Sequence, residues 1–172
     1  MKWIVHIISF ALLFQSCREK KMPREEIITP EVRESIIRAN QKLTAGESKE
    51  IDNYIRRNRL TMNKSGTGLR YMFLKKGNGD TALSGMEATV KFKLSLLDGS
   101  VCYSSESEGP ETFTIDQDNV ESGLHEGIKL MRKGDVAKFI LPSHLAHGLA
   151  GDKNCIKARS PVVYDIELLD LK

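Results

Sequence analysis

The chain contains no internal repeat, no phosphate-cradling glycine loop and no nucleophile elbow, so neither nucleotide binding nor elbow-type hydrolysis is indicated. Gly77 and Gly79 lack the rest of a dinucleotide fingerprint and read as turn glycines. An excess of one charge is also missing. Against 23 Asp and Glu stand 26 Lys and Arg, a formal net charge of +3, which argues against a nucleic-acid partner. Potential metal ligands are few. His144, His147 and Cys155 make three candidates without a spaced fourth, so neither a metal nor another cofactor is expected. With 40% apolar and 28% charged residues, neither disorder nor a membrane-embedded body is indicated. A length of 172 residues suits one compact domain with appended segments.

The one long apolar run, residues 3–14, is broken only by His6 and Ser9 and is followed by Gln15, Ser16 and Cys17. It is too short to span a bilayer and has the length of a signal-peptide core. A small residue before a cysteine at the end of such a run resembles a bacterial lipobox. The expectation is a signal peptide over 1–16, acylation of Cys17 and a lipidated tether over 17–30 that holds the protein to a membrane. Arg18, rather than an aspartate, follows the cysteine and favours an outer-membrane anchor facing the periplasm.

After Pro30, Val32, Ile36, Ile37 and Leu43 recur on one helical face, and Gly46 reads as a stop. Ile51, Tyr54 and Ile55 continue at helical spacing until arginines 56, 57 and 59, which suit the negative end of a helix. Residues 31–68 are therefore read as a helical N-terminal segment that packs on the following domain or pairs with a second copy. From Leu69 the period changes to two. Leu69, Tyr71 and Phe73 alternate with Arg70, Met72 and Leu74. Val90, Phe92 and Leu94 oppose Lys91, Lys93 and Ser95 ahead of an Asp98-Gly99 turn. Phe113 and Ile115, then Ala137, Phe139 and Leu141, then residues 163–171, mark further strands, with one helix near 122–132. The expected fold is α+β, an antiparallel sheet wrapped over one short helix, occupying 69–172.

Four features occur in a fixed order: the alternating strand 89–97 with its Asp98-Gly99 turn; Val-Glu-Ser-Gly-Leu-His-Glu-Gly over 120–127; Lys-Gly-Asp-Val over 133–136 followed by Leu-Ala-His-Gly over 145–148; and the closing strand 162–169. In that order they resemble the FKBP-type peptidyl-prolyl cis-trans isomerases. The resemblance implies an FKBP-like fold, proline-containing polypeptide clients and a prolyl isomerase that assists folding of envelope proteins. Such an exported, lipidated form is similar to gliding-motility-associated FKBP lipoproteins. A different class, a non-catalytic chaperone or proline-segment binding module on the same fold, is the alternative.

Rotation about an X-Pro bond meets a barrier of roughly 18 to 20 kcal/mol set by amide resonance. Lowering it needs no nucleophile or metal, only a water-excluding cavity that binds the twisted amide more tightly than the planar one. Carried over from the family, Phe113, Val120 and Ile156 match pocket positions, and Tyr164 stands where phenylalanine is usual. Phe92 replaces a tyrosine, Leu124 the tryptophan floor and His147 a carbonyl-binding tyrosine. Glu121 replaces an isoleucine whose backbone N–H holds a substrate carbonyl, so its side chain is assigned no chemistry. Cys102 and Tyr103 fall on the pocket rim. Loss of one hydrogen bond, about 0.5 to 1.5 kcal/mol, and of indole contact, about 1 to 2 kcal/mol, implies weakened activity. The resemblance also brings Cys102 and Cys155 near one rim. Two unreacted thiols filling space are the favoured expectation, with a disulfide as the alternative.

Overall fold

The computed structural model describes residues 29–172, so the signal peptide, the lipobox with Cys17 and most of the tether lie outside the described residues. Two compact units divide the chain, one ending at Arg38 and one running from Ala39 to Lys172. Helix α1, Pro30–Arg57, begins in the first and continues in the second. Thr29 Oγ1 accepts the Val32 N–H at 3.3 Å, and Pro30 takes the first helical position, where a missing N–H costs nothing. In the first unit Glu34 pairs with Arg38 at 3.1 Å, while Val32, Ile36 and Ile37 stay nearly half exposed.

Gly46 does not stop the helix. Nothing lies within 4 Å of where its Cβ would be, and tertiary contacts on the C-terminal side outweigh its helix penalty of about 1 kcal/mol. Ile51 is fully buried against Ile140 and Val163. The Glu47 carboxylate accepts the Ser143 backbone N–H and hydroxyl, each at 2.6 Å. Arg70, read from alternation as a polar-face residue, is only 4% exposed. Its guanidinium donates to Gly68 O, Ser48 Oγ and Asp52 Oδ1 at 2.6, 3.0 and 2.9 Å.

Seven strands form one antiparallel sheet: β1 (Asn63–Lys64), β2 (Arg70–Lys75), β3 (Glu87–Leu96), β4 (Val101–Ser104), β5 (Glu111–Thr114), β6 (Val136–Leu141) and β7 (Val162–Leu171). The order is β1-β2-β6-β7-β3-β4, with β5 also paired to β3. Between β4 and β5 lies a short helix, α2 (Ser105–Glu108), that the alternation did not signal. Helix α3 (Ser122–Ile128) is the single helix foreseen under the sheet, shorter at its C-terminus than expected.

The period-two reading of the strands holds except at Arg70 and at Ser95, assigned to the polar face but buried. Ala88, Val90, Phe92 and Leu94 of β3 are buried while Lys91 and Lys93 are exposed. On β6, Ala137, Phe139 and Leu141 join the main core with Leu124 and Ile128 of α3, whereas Ile140 faces the other way, under Ile51. Helix α3 lies close against β6 because two positions one turn apart lack side chains. A Cβ on Gly123 would sit 2.7 Å from Leu141 Cγ, and one on Gly127 would sit 2.6 Å from the Phe139 ring.

Candidate functional site

A cavity of 460 Å³ is walled by β3, β7, the turn into α3 and the loop after residue 145. Its aromatic sides come from adjacent strands. Leu94 of β3 is registered with Tyr164 of β7, so Phe92, two residues earlier, shares a face with Tyr164. The two ring centroids are 5.9 Å apart, with planes tilted by 51°, and both residues are buried. A cavity of this size falls in the range that holds a small ligand.

The turn that delivers Val120 and Glu121 is fixed by a residue the sequence did not single out. His125 of α3 is 9% exposed; its Nδ1 accepts the Asp116 N–H at 2.9 Å and its Nε2 donates to Asp118 O at 3.0 Å. One ring nitrogen must accept and the other donate, so this arrangement is met by the neutral ring. The His125 ring also meets Phe113 edge-on at 5.7 Å. Among the described residues no backbone carbonyl takes the Glu121 N–H, which leaves that donor for a ligand.

Glu121 also brings its side chain into the cavity. Its Oε1 accepts the Tyr164 hydroxyl at 3.0 Å. Burial, and then the nearby Glu121 charge, push the Tyr164 phenol well above its ordinary range, so it remains a donor. The same oxygen lies 2.9 Å from His147 Nε2. That nitrogen is buried, yet it makes no hydrogen bond; the two atoms are in contact without one. Glu108 and Glu111 stand at the same cavity. Burial, then the charges of Glu121 and Glu108, push the Glu111 carboxyl upward.

The loop that carries His147 and Ile156 is tied down twice. Cys102 and Cys155 form a disulfide, which replaces the expected pair of free thiols. Beside it the Tyr103 hydroxyl donates to the Asp152 carboxylate, and Asp152 Oδ1 accepts the N–H groups of Asn154 and Ile156 at 2.8 Å each. Burial alone would raise the Asp152 carboxyl, but the Tyr103 hydroxyl and the two backbone donors outweigh it and lower it to about 2. Of the three candidate metal ligands, Cys155 is used in the disulfide and His144 Nε2 meets Thr67 O at 3.0 Å.

Six of the residues expected at the site meet at this cavity: Phe92, Tyr103, Val120, Glu121, His147 and Tyr164. Phe113, Leu124 and Ile156 are at most 2% exposed and belong to the core cluster behind it. Cys102 packs against the same core through the disulfide strand. The cavity also includes Leu94, Asn119, Ser122 and Ala146, besides Glu108 and Glu111. Leu94 was legible from its same-face spacing to Phe92. The two glutamates were not, because α2 and the turn into β5 gave no periodic signal.

Comparison with known proteins gives a consistent picture. A family profile described as FKBP-type peptidyl-prolyl cis-trans isomerase matches residues 79–169. The FKBP-type peptidyl-prolyl cis-trans isomerase FkpA of Escherichia coli (strain K12) is 36% identical over 108 residues, covering 63% of this chain and 39% of that protein. A probable FkpA of Neisseria meningitidis serogroup B is 34% identical over 106 residues, covering 61% and 38%. The chain thus spans about two fifths of the length of these curated relatives. The crystal structure of FkpA from Escherichia coli superposes with a TM-score of 0.66 at 32% identity, over 83% of this chain and 67% of that one. That of AtFKBP13 gives 0.62 at 27% identity, over 65% and 99%.

Proposed function

This chain belongs to the FKBP-type peptidyl-prolyl cis-trans isomerase family, and from that premise we propose that it isomerises X-Pro bonds in envelope polypeptides. The observation that carries the reading is the Phe92–Tyr164 cavity with the unclaimed Glu121 N–H at its edge. A proline ring seated on the two aromatic rings would direct the preceding carbonyl towards that donor. The amide loses water there, and its planar form loses solvation that the twisted form needs less. No side chain forms a bond to the substrate.

Activity weaker than a tyrosine- and tryptophan-lined pocket would give is part of the proposal. His147 stands where the family's tyrosine would offer a hydroxyl, and Leu124 sits in the core rather than on the cavity floor. The lipobox residues Ser16 and Cys17 support attachment through acylated Cys17 to the outer membrane, facing the periplasm. The half-exposed Val32, Ile36 and Ile37 support pairing with a second copy.

A prolyl isomerisation assay on the full chain, with several residues placed before proline, tests the reading. Acceleration that is lost in Tyr164→Ala, with the fold retained, is expected. Peptide binding without acceleration would instead establish the non-catalytic binding module, a reading favoured by the three glutamates at the cavity.

A further inference from the structure

Three carboxylates stand at the cavity with no lysine or arginine to answer them. Glu108 closes α2, Glu111 opens β5 and Glu121 precedes α3; all three line the cavity, and no lysine or arginine does. Among the described residues neither Glu108 nor Glu111 takes part in an ion pair, and Glu121 meets only His147. That ring offers at most one positive charge against three negative ones, and its Nε2 makes no hydrogen bond to the carboxylate.

The placement of Glu111 is the informative one. It is registered with Val90 of β3, as Phe113 is with Ala88, and residues paired in this way share a face of the sheet. Val90, Ala88 and Phe113 are buried. Glu111 therefore holds an inward position at the start of its strand, where alternation calls for an apolar side chain, and it lines the cavity there. Burial, and then the charges of Glu121 and Glu108, push its carboxyl upward, so the three groups repel one another. A cation brought to the cavity relieves that repulsion.

The kind of cation follows from the same geometry. Among the described residues no three acidic, histidine or cysteine side chains converge as metal ligands, which points to a charge carried on a stem. Lysine and arginine bear theirs at the end of an apolar chain that can lie along Val120 and Phe92 while the head reaches the carboxylates. The unclaimed Glu121 N–H is the donor for the carbonyl before the proline, and that carbonyl belongs to the residue preceding it. The side chain of this residue thus leaves the backbone beside Glu121. We propose that the cavity selects proline segments with lysine or arginine immediately before the proline, and that Glu111 and Glu121, with Glu108 adding to their field, are the specificity-determining residues. This rests on the isomerase reading of the cavity.

The test is kcat/KM on the full chain for peptides that differ only at the residue before proline: lysine, arginine, leucine, glutamine or glutamate. Lysine and arginine should exceed glutamate by about tenfold or more in low salt, and the gap should narrow in about 0.5 M salt. Glu111→Gln should shrink the lysine-to-glutamate ratio by about threefold, a readout that general damage to the fold does not move, because both peptides then lose alike. Lysine and glutamate turned over equally by the wild type overturn the proposal. So does a ratio unchanged in Glu111→Gln, or a lysine preference seen only when the lysine follows the proline. Should Glu111→Gln not fold, Glu108→Gln and the salt response decide, and a ratio that neither alters overturns it. Should no peptide be turned over, the isomerase reading fails by itself. Calorimetric titration of the same peptides then decides the selectivity: tighter binding of the lysine peptide than of the glutamate peptide supports it and equal affinity overturns it.

Discussion

Cys102 and Cys155 are bonded to each other across 53 residues of chain, with Cα atoms 5.6 Å apart, and the bond ties the strand bearing Tyr103 to the loop bearing His147 and Ile156. A bond of this kind persists in an oxidising compartment. The closed loop is long, so the chain entropy it removes from the unfolded state is large.

Reduction, or a Cys102→Ser Cys155→Ser double variant, should lower unfolding stability by about 2 to 4 kcal/mol. Denaturant titrations with and without reductant measure it directly. Coincident curves, with thiols labelled only after reduction, would show that the bond does not constrain the chain.

Two glycines should respond oppositely to alanine. At Gly127 the new methyl meets the Phe139 ring at 2.6 Å, and overpacking of this kind costs about 1 to 3 kcal/mol. At Gly46, mid-helix with nothing within 4 Å, alanine should stabilise by up to about 1 kcal/mol. Thermal melts of both variants check the contrast.

His125→Leu should be costly despite similar bulk. It orphans the Asp116 N–H and the Asp118 carbonyl, at about 1 to 3 kcal/mol for each group left unsatisfied. The turn carrying Val120 and Glu121 should loosen with it. Faster amide exchange at residues 116–121, together with lower stability, is the expected signature.

Asp152 gives the acid dependence. Its folded carboxyl lies at about 2, below an unfolded value near 3.9. A depressed folded value means stabilisation that is complete above about pH 4 and is lost as pH falls towards 2. The stability gap between wild type and Asp152→Asn should therefore close across that window. A gap that stays constant from pH 6 to pH 2 would contradict the loop tie described above.

The strands were legible because their burial repeats every two residues, as in Val90, Phe92 and Leu94 against Lys91 and Lys93. Phe92, Val120, Glu121, His147 and Tyr164 could be placed at one cavity because their order along the chain carries the resemblance. Helix continuity at Gly46 was not legible, since the contacts that override a glycine there come from Ser143 and Val163, about a hundred residues away. The reach of the Glu121 side chain was hidden for the same reason. It depends on how closely residues 26 and 43 positions further on approach it, and no local pattern records that approach.

The short outer strands have a consequence for a protein that would meet unfolded chains. On one side β1 contributes two residues, and beside it β2 ends at Lys75, followed by Lys76, whose ammonium lies over the Phe73 ring at 3.0 Å. On the other side β4 and β5 share the flank of β3 in two four-residue pieces, with a register shift at Leu94/Ser95. Neither border offers the long, flat row of free backbone groups that templates strand addition. A strand of another chain thus finds little to pair with at the sheet margins, where such pairing would be sequence-blind and aggregation-prone.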